Sequence, residues 1–94
     1  MNEIYARDLD LNLLRVFAVV ASTRSVTRAA GQLYLTQPAI SAALARLTRS
    51  VGAPLFTRAG RGLALSARGE RLYEQVAPLL RSLARSMSSG RPWP

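Results

Sequence analysis

The chain of 94 residues contains no cysteine and no histidine. It therefore has no disulfide framework, no thiolate nucleophile, no imidazole base and almost no means of holding zinc. Glu70 and Glu74 lie one helical turn apart, but Arg71 lies between them, so they are interpreted as surface charges and not as an acid and base pair. The sequence predicts no enzyme, no catalytic residue, no metal and no cofactor.

Aromatic residues make up only 6% of the chain, and no apolar run approaches the roughly 20 residues that a membrane-spanning helix needs. The N-terminal segment carries Glu3 and Asp8 and lacks the basic and then apolar order of a signal peptide. The apolar share of 49% nevertheless allows one modest aliphatic core. We expect a small globular domain in the cytoplasm with no membrane partner.

Positive charge is abundant, and all of it belongs to arginine. The chain has 13 basic and 5 acidic residues, for a net charge of +8. From Arg24 to Arg68 there are seven arginines and no acidic residue. Such a segment attracts polyanions, so nucleic acid is the expected partner.

Capping residues and apolar periodicity predict three helices in the first part of the chain. Asp10, Ser25 and Thr36 are suitable caps. The predicted helices cover residues 11–21, 26–33 and 37–51. On the third helix, a stripe for the core contains Ile40, Leu44, Leu47 and Val51. The opposite face contains Pro38, Ala42, Ala45 and Arg49, and its small residues suit close approach to a negatively charged surface.

The second part of the chain begins with two short alternating runs around a glycine-rich turn, at residues 55–65, which predict a hairpin. Ser66 can cap a last helix, in which Pro78 should cause a bend or free one carbonyl group. Apolar residues recur on this helix at intervals of three and four, at Leu72, Val76, Leu79, Leu83 and Met87. No further part of the domain remains for this apolar seam to cover. The seam therefore predicts contact with a partner molecule.

The order of helix, turn, helix and basic hairpin is typical of a winged helix-turn-helix protein. Over about residues 9–87 the chain also resembles the N-terminal DNA-binding domain of LysR-type transcriptional regulators. The stretches that carry this resemblance are residues 10–17, 25–30, 37–41, 54–58 and 60–62. The expected fold is mainly α, with a three-helix core and two-stranded wing in residues 1–65, a linker and dimerisation helix in 66–89 and a tail in 90–94.

The resemblance implies that the third helix enters the major groove, that the hairpin reaches the minor groove and that the last helix pairs two subunits. The DNA-binding residues it implies are Thr27, Arg28, Thr36, Gln37, Pro38, Ser41, Ala42, Arg49, Arg58 and Arg61. The seam from Leu72 to Met87 supplies the dimerisation residues. Ala42 departs from the arginine that is common in the family, although its methyl group can meet a thymine methyl.

Several of these residues also have a plainer interpretation. Gln37 and Pro38 suit any helix start, and Thr36 suits a cap alone. Arg49, Arg58 and Arg61 can be solvated surface charges. These alternatives stay open at the level of sequence.

The sequence thus predicts a transcriptional regulator that binds an interrupted inverted repeat in double-stranded DNA as a homodimer. For a full-length form, a tetramer is an alternative. Members of the family that the chain resembles carry a C-terminal domain that binds a small effector, and that domain is expected to be absent from this sequence. A small-molecule effector is therefore expected only if a C-terminal domain exists. A fragment and a short natural form are both compatible with this. Two other classes of protein are less compatible with the sequence. A cationic protein on an anionic membrane is disfavoured by the narrow seam, and an RNA-binding module lacks an aromatic stacking platform.

Overall fold

The structure, a computed structural model, describes residues 10–87, and this part of the chain forms four helices and a two-stranded sheet. The elements are α1 (Leu11–Thr23), α2 (Val26–Leu33), α3 (Gln37–Val51), β1 (Phe56–Ala59), β2 (Gly62–Leu65) and α4 (Ala67–Met87). This confirms the predicted winged helix-turn-helix fold with a long last helix. The predicted tail at 90–94 and the last two residues of the predicted linker helix lie outside the described residues.

Side-chain caps start the first three helices, as predicted. The Asp10 carboxylate accepts hydrogen bonds from the backbone N–H groups of Asn12 and Leu13, at 2.9 and 3.3 Å. The hydroxyl oxygens of Ser25 and Thr36 each accept one from the residue three positions on, at 3.1 and 3.2 Å. These bonds satisfy donors that have no partner within the helix, so the caps fix where each helix begins.

Helix α1 runs to Thr23, two residues beyond the predicted end. The predicted end at residue 21, which leaves Ser22 and Thr23 outside the helix, was wrong. Their hydroxyl groups donate to the carbonyl of Val19 at 3.1 and 2.8 Å, which lets both residues stay in the helix. The helix ends instead at Arg24, whose φ of 58° lies in the left-handed region.

The core lies between α1, α2 and α3, and the wing and α4 pack onto one end of it. Ile40 and Leu47 of the predicted α3 stripe are buried, and the other two members of that stripe pack against the same clusters. Phe17 is fully buried, and its ring centroid lies 5.5 Å from that of Phe56 and 6.4 Å from that of Tyr73. One α1 side chain therefore anchors both the hairpin and the last helix.

The wing, which is the β1–β2 hairpin, is antiparallel with Phe56 opposite Leu65 and Ala59 opposite Gly62. Its two-residue turn is Gly60 and Arg61, and the φ of Gly60 is +59°, a conformation that favours glycine. The backbone N–H of Leu63 donates to the carbonyl of Arg24 at 3.2 Å. The wing is thereby tied to the turn between α1 and α2.

The start of α4 is fixed by Ser66 and Gly69. The Ser66 hydroxyl accepts a hydrogen bond from the Gly69 N–H at 3.0 Å and donates one to the Pro54 carbonyl at 2.7 Å, which confirms the predicted cap. Gly69 is buried, and a side chain at this position would overlap the Leu55 carbonyl oxygen. Helix α4 continues through Pro78, which has no N–H to donate to the carbonyl four residues earlier.

The predicted seam of α4 is divided between two environments. Val76 is only 5% exposed, and Leu72 packs on the cluster around Phe17. Leu79, Leu83 and Met87 are 65, 48 and 82% exposed. The prediction that Val76 faces a partner was wrong, because the first half of α4 covers the chain's own core.

Candidate nucleic-acid interface

The side of α3 that faces away from the core forms one exposed surface, here called the outer face. It contains the predicted residues Pro38, Ser41, Ala42 and Arg49, together with Ala45, and it includes Thr36 and Gln37 at its N-terminal end; all of them are exposed. Ile40 and Leu47 turn toward the core on the opposite side. Because the core contacts fix the rotation of α3, the outer face presents these residues together to solvent.

The outer face changes character along its length. Pro38 and Arg49 are separated by 11 residue steps, which at 1.5 Å each correspond to about 16 Å of helix. Small side chains occupy its middle, whereas Arg46 and Arg49 add positive charge toward its C-terminal end. An α-helix with its side chains is about 10 to 12 Å in diameter, which fits the major groove of B-DNA, about 12 Å wide. The small middle lets the helix axis come near the surface that it contacts.

A second surface lies between the α1–α2 turn and the wing. It is a groove of about 520 Å³ that includes Thr27, and four of its lining residues are the arginines Arg24, Arg28, Arg58 and Arg61. None of the described residues that line it is acidic. We call this surface the basic groove. Guanidinium groups bind phosphate oxygens through paired N–H donors, so the basic groove suits a polyanion of phosphodiesters.

The start of α2 contributes to the basic groove. The Ser25 side chain caps this helix by accepting from the Arg28 N–H, and Thr27 lies in the first helical turn. The hydroxyl of Thr27 and the guanidinium of Arg28 are exposed, whereas Ala29 and Ala30 of the same helix are buried. The short helix therefore holds its polar start toward solvent by burying its alanines.

The structure groups the predicted DNA-binding residues into two sets. The residues from Thr36 to Arg49 lie on the outer face, and Thr27, Arg28, Arg58 and Arg61 line the basic groove. Arg24 was not among the predicted residues, although it lines the groove. Its place in the acid-free segment was a visible signal, but the backbone bond from Leu63 that holds the wing beside it could not be foreseen.

A third surface is apolar. Leu11, Leu80, Leu83, Ala84 and Met87 line a groove of about 430 Å³ between the start of α1 and the second half of α4. Leu11 is 54% exposed, although large apolar side chains of α1 are otherwise mostly buried. The groove is continuous with the exposed Leu83 and Met87 of the α4 seam. An exposed patch of this kind is typical of a protein interaction surface.

Residues 10–87 contain no group of three or more potential metal ligands among their acidic side chains. The helices formed by these residues are too short or too polar to span a bilayer.

Comparisons with known proteins identify the chain's relatives. Residues 11–70 match the family described as bacterial regulatory helix-turn-helix protein, lysR family. The HTH-type transcriptional regulator DgdR of Burkholderia cepacia is 42% identical over 82 residues, which are 87% of this chain and 28% of DgdR. The chain spans less than a third of the length of this curated relative. DgdR is named a regulator and not an enzyme, in agreement with the sequence-based exclusion of catalysis.

Two solved structures are similar in fold. A probable transcriptional regulator from Pseudomonas aeruginosa has a TM-score of 0.84 and 38% identity, over 95% of this chain and 30% of that one. The crystal structure of BenM DBD with catB site 1 DNA has a TM-score of 0.77 and 28% identity, over 87% of this chain and 92% of that one. The similarity thus includes the three-helix core, the wing and at least part of α4.

Proposed function

The chain belongs to the lysR family of bacterial regulatory helix-turn-helix proteins, and on this basis we propose that it regulates transcription by binding specific sequences in double-stranded DNA as a homodimer. One observation carries the proposal. The outer face of α3 and the basic groove are both exposed, and the wing that lines the groove is tied to the turn between α1 and α2. The surfaces proposed for base readout and for backbone binding thereby lie on one folded unit. A cytoplasmic location is part of the proposal.

The basic groove is proposed to hold the DNA backbone. Arg24, Arg28 and Arg58 would bind phosphates, with the Thr27 hydroxyl as a further donor. Each phosphate that is neutralised releases counterion and adds about 0.9 to the slope of log affinity against log salt. These contacts fix the position of the protein but carry little sequence information.

Base recognition is proposed for the N-terminal half of the outer face. The Gln37 amide can pair with the N6 and N7 edge of adenine, and the Ser41 hydroxyl can bond to several bases. The Thr36 hydroxyl caps α3 by accepting from the Ala39 N–H, which leaves its O–H to donate to a phosphate of the DNA backbone. Pro38 lies in the first turn, where it shapes the surface without a donor of its own.

The wing is proposed to reach the minor groove through Arg61. This residue lies at the tip of the two-residue turn and is exposed. Narrow A·T-rich minor grooves have an enhanced negative potential that attracts arginine. Arg61→Ala should therefore weaken binding more on A·T-flanked than on G·C-flanked sites.

The homodimer is proposed to form through the second half of α4. Leu79, Leu83 and Met87 are exposed on one side of this half, and Leu11 extends the apolar surface onto α1. A second copy presents the same surface, so two α4 helices can cover each other in a twofold arrangement. Two outer faces then read two half-sites, which gives a DNA site with inverted symmetry.

Selection of bound sequences from a random duplex pool tests the proposal. The expected result is enrichment of an interrupted inverted repeat, with binding that weakens steeply as salt is raised. A pool that remains random after repeated selection would contradict specific recognition. The same pool prepared as single-stranded RNA should show no enrichment.

Two substitutions then separate the roles of the two surfaces. Gln37→Ala should weaken binding to the selected duplex by about 1 to 3 kcal/mol for each half-site and leave binding to random duplex nearly unchanged. Arg28→Ala should weaken both by similar factors and make the salt slope shallower by about two, because each of the two subunits loses one phosphate contact. Equal losses for Gln37→Ala on the two duplexes would assign this residue to the backbone.

A further inference from the structure

The middle of the outer face of α3 carries methyl groups and no polar side chain. Ala42 and Ala45 are both exposed there, between Pro38 and Arg49. At 100° per residue all four side chains fall within about 60° of one another around the helix. The part of α3 that would lie deepest in a groove therefore offers only apolar contact, with Ser41 and Arg46 at its two sides.

The short side chains also set how closely α3 can approach. Alanine extends no further than Cβ, so no long side chain holds the helix away from a surface at these two positions. Both residues are in the regular part of a helix whose rotation is fixed by the buried Ile40 and Leu47. Their methyl groups therefore have fixed positions at the exposed surface.

Among the four standard bases, only thymine presents a methyl group in the major groove. Contact between an alanine methyl and the thymine C5-methyl removes apolar surface from water and is favourable. A methyl placed against the amino or carbonyl groups of the other base edges would deprive those groups of water without replacing the hydrogen bond. Two methyl groups at fixed positions therefore discriminate in favour of thymine.

We propose that Ala42 and Ala45 select thymine within each half-site through its C5-methyl group. This inference rests on the proposed function, because it takes α3 to lie in the major groove. It adds a specificity determinant that acts without hydrogen bonds, beside the polar readout by Gln37 and Ser41. The DNA feature that is read is the methyl group itself.

Replacement of thymine by deoxyuridine tests the inference. Deoxyuridine keeps the pairing edge and the minor-groove atoms of thymine and lacks only the methyl group. In the duplex obtained by selection, each thymine of a half-site is replaced singly and the affinity is measured at fixed salt. We expect one or two positions in each half-site to lose about fourfold in affinity, as for the loss of one buried methyl group, and the remaining positions to lose little.

Glycine variants assign the effect to named side chains. For Ala42→Gly and Ala45→Gly, the ratio of affinities for thymine and deoxyuridine duplexes should fall to near one at the position that each residue contacts. A ratio measured on one protein cancels the loss of helix stability that glycine causes. Ser50→Gly is the matched control, because Ser50 is an exposed α3 residue at the side of the helix, and its variant should keep the ratio unchanged.

The possible outcomes separate this inference from the proposed function. If selection yields a defined site and every deoxyuridine replacement is neutral, thymine selection is wrong while sequence-specific binding stands. A thymine preference that survives in both glycine variants would assign the methyl contact to another side chain and overturn the inference. A pool that stays random overturns the proposed function and this inference together.

Discussion

The two halves of α4 carry one apolar stripe and meet different surroundings. In residues 67–77 the stripe covers the core, with Val76 buried and Tyr73 against Phe17. In residues 78–87 the same stripe is exposed at Leu79, Leu83 and Met87. Periodicity thus identifies the buried side of a helix but does not say whether the chain itself or another molecule covers that side.

The difference separates two contributions to stability. Apolar surface in the first half is removed from water when the chain folds, whereas the exposed surface in the second half is removed only if a partner binds. Full burial of one large aliphatic side chain contributes about 1.5 to 3 kcal/mol. Substitutions in the first half should therefore change the free energy of unfolding, and substitutions in the second half should change the free energy of association.

The largest expected effect is on association. Leu79→Glu combined with Leu83→Glu places two charges on the proposed contact surface, and we expect the dimer to be weakened by at least about 3 kcal/mol, because burying a charge adds to the lost apolar contact. Sedimentation velocity over a range of concentrations measures this. The far-ultraviolet circular dichroism of the monomer should remain that of the native fold.

Arg81→Glu is the matched control for this double substitution. Arg81 is exposed and lies on the opposite side of α4, and its replacement changes the net charge by the same amount. The control should remain dimeric. Dimers of unchanged strength in the double variant would place the subunit contact outside the second half of α4.

The next largest effect should come from Gly69 in the first half of α4. In Gly69→Ala the new methyl group would overlap the Leu55 carbonyl oxygen, so the helix must move off the core. We expect the free energy of unfolding to fall by about 3 kcal/mol, at the upper end for an overpacked site. Urea unfolding followed by circular dichroism measures the change.

Gly31→Ala provides the comparison for this glycine. Gly31 lies inside α2, and a Cβ there would meet no atom within 4 Å. Alanine should raise stability by about 0.5 to 1 kcal/mol because it loses less conformational freedom on folding. If both substitutions changed stability in the same direction and by similar amounts, the close contact between α4 and Leu55 would be refuted.

The sequence predicted features that depend on local chemistry. The caps at Asp10, Ser25 and Thr36, the core stripe of α3 and the hairpin around Gly60 were all confirmed, because each depends on residues close together in the chain. Local pattern also misled at Ser22 and Thr23, because these residues suit both a turn and a helix end. Only the hydrogen bonds back to Val19 decide between the two.

Features that depend on distant residues were not predicted. Arg24 reaches the basic groove because the wing, nearly forty residues later, bonds to its carbonyl. Val76 is buried in the half of α4 that packs on α1, whereas Leu79, three residues later, is exposed. The roles of the outer-face residues in DNA recognition remain predictions, since they depend on a surface outside the chain.

The smallest effect compares Val76 with Met87, one from each half of the α4 seam. Both are changed to alanine in the background of Leu79→Glu and Leu83→Glu, so that association does not contribute to the measured stability. Val76→Ala should lower the free energy of unfolding by about 2 kcal/mol, because it removes buried methyl groups and leaves a cavity. Met87→Ala should change it by less than about 0.5 kcal/mol, since Met87 is 82% exposed. Urea unfolding curves for the two variants decide between the two environments. A loss for Val76→Ala as small as that for Met87→Ala would mean that the first half of α4 is not part of the folded core. A large loss for Met87→Ala would mean that the second half is covered by the chain itself.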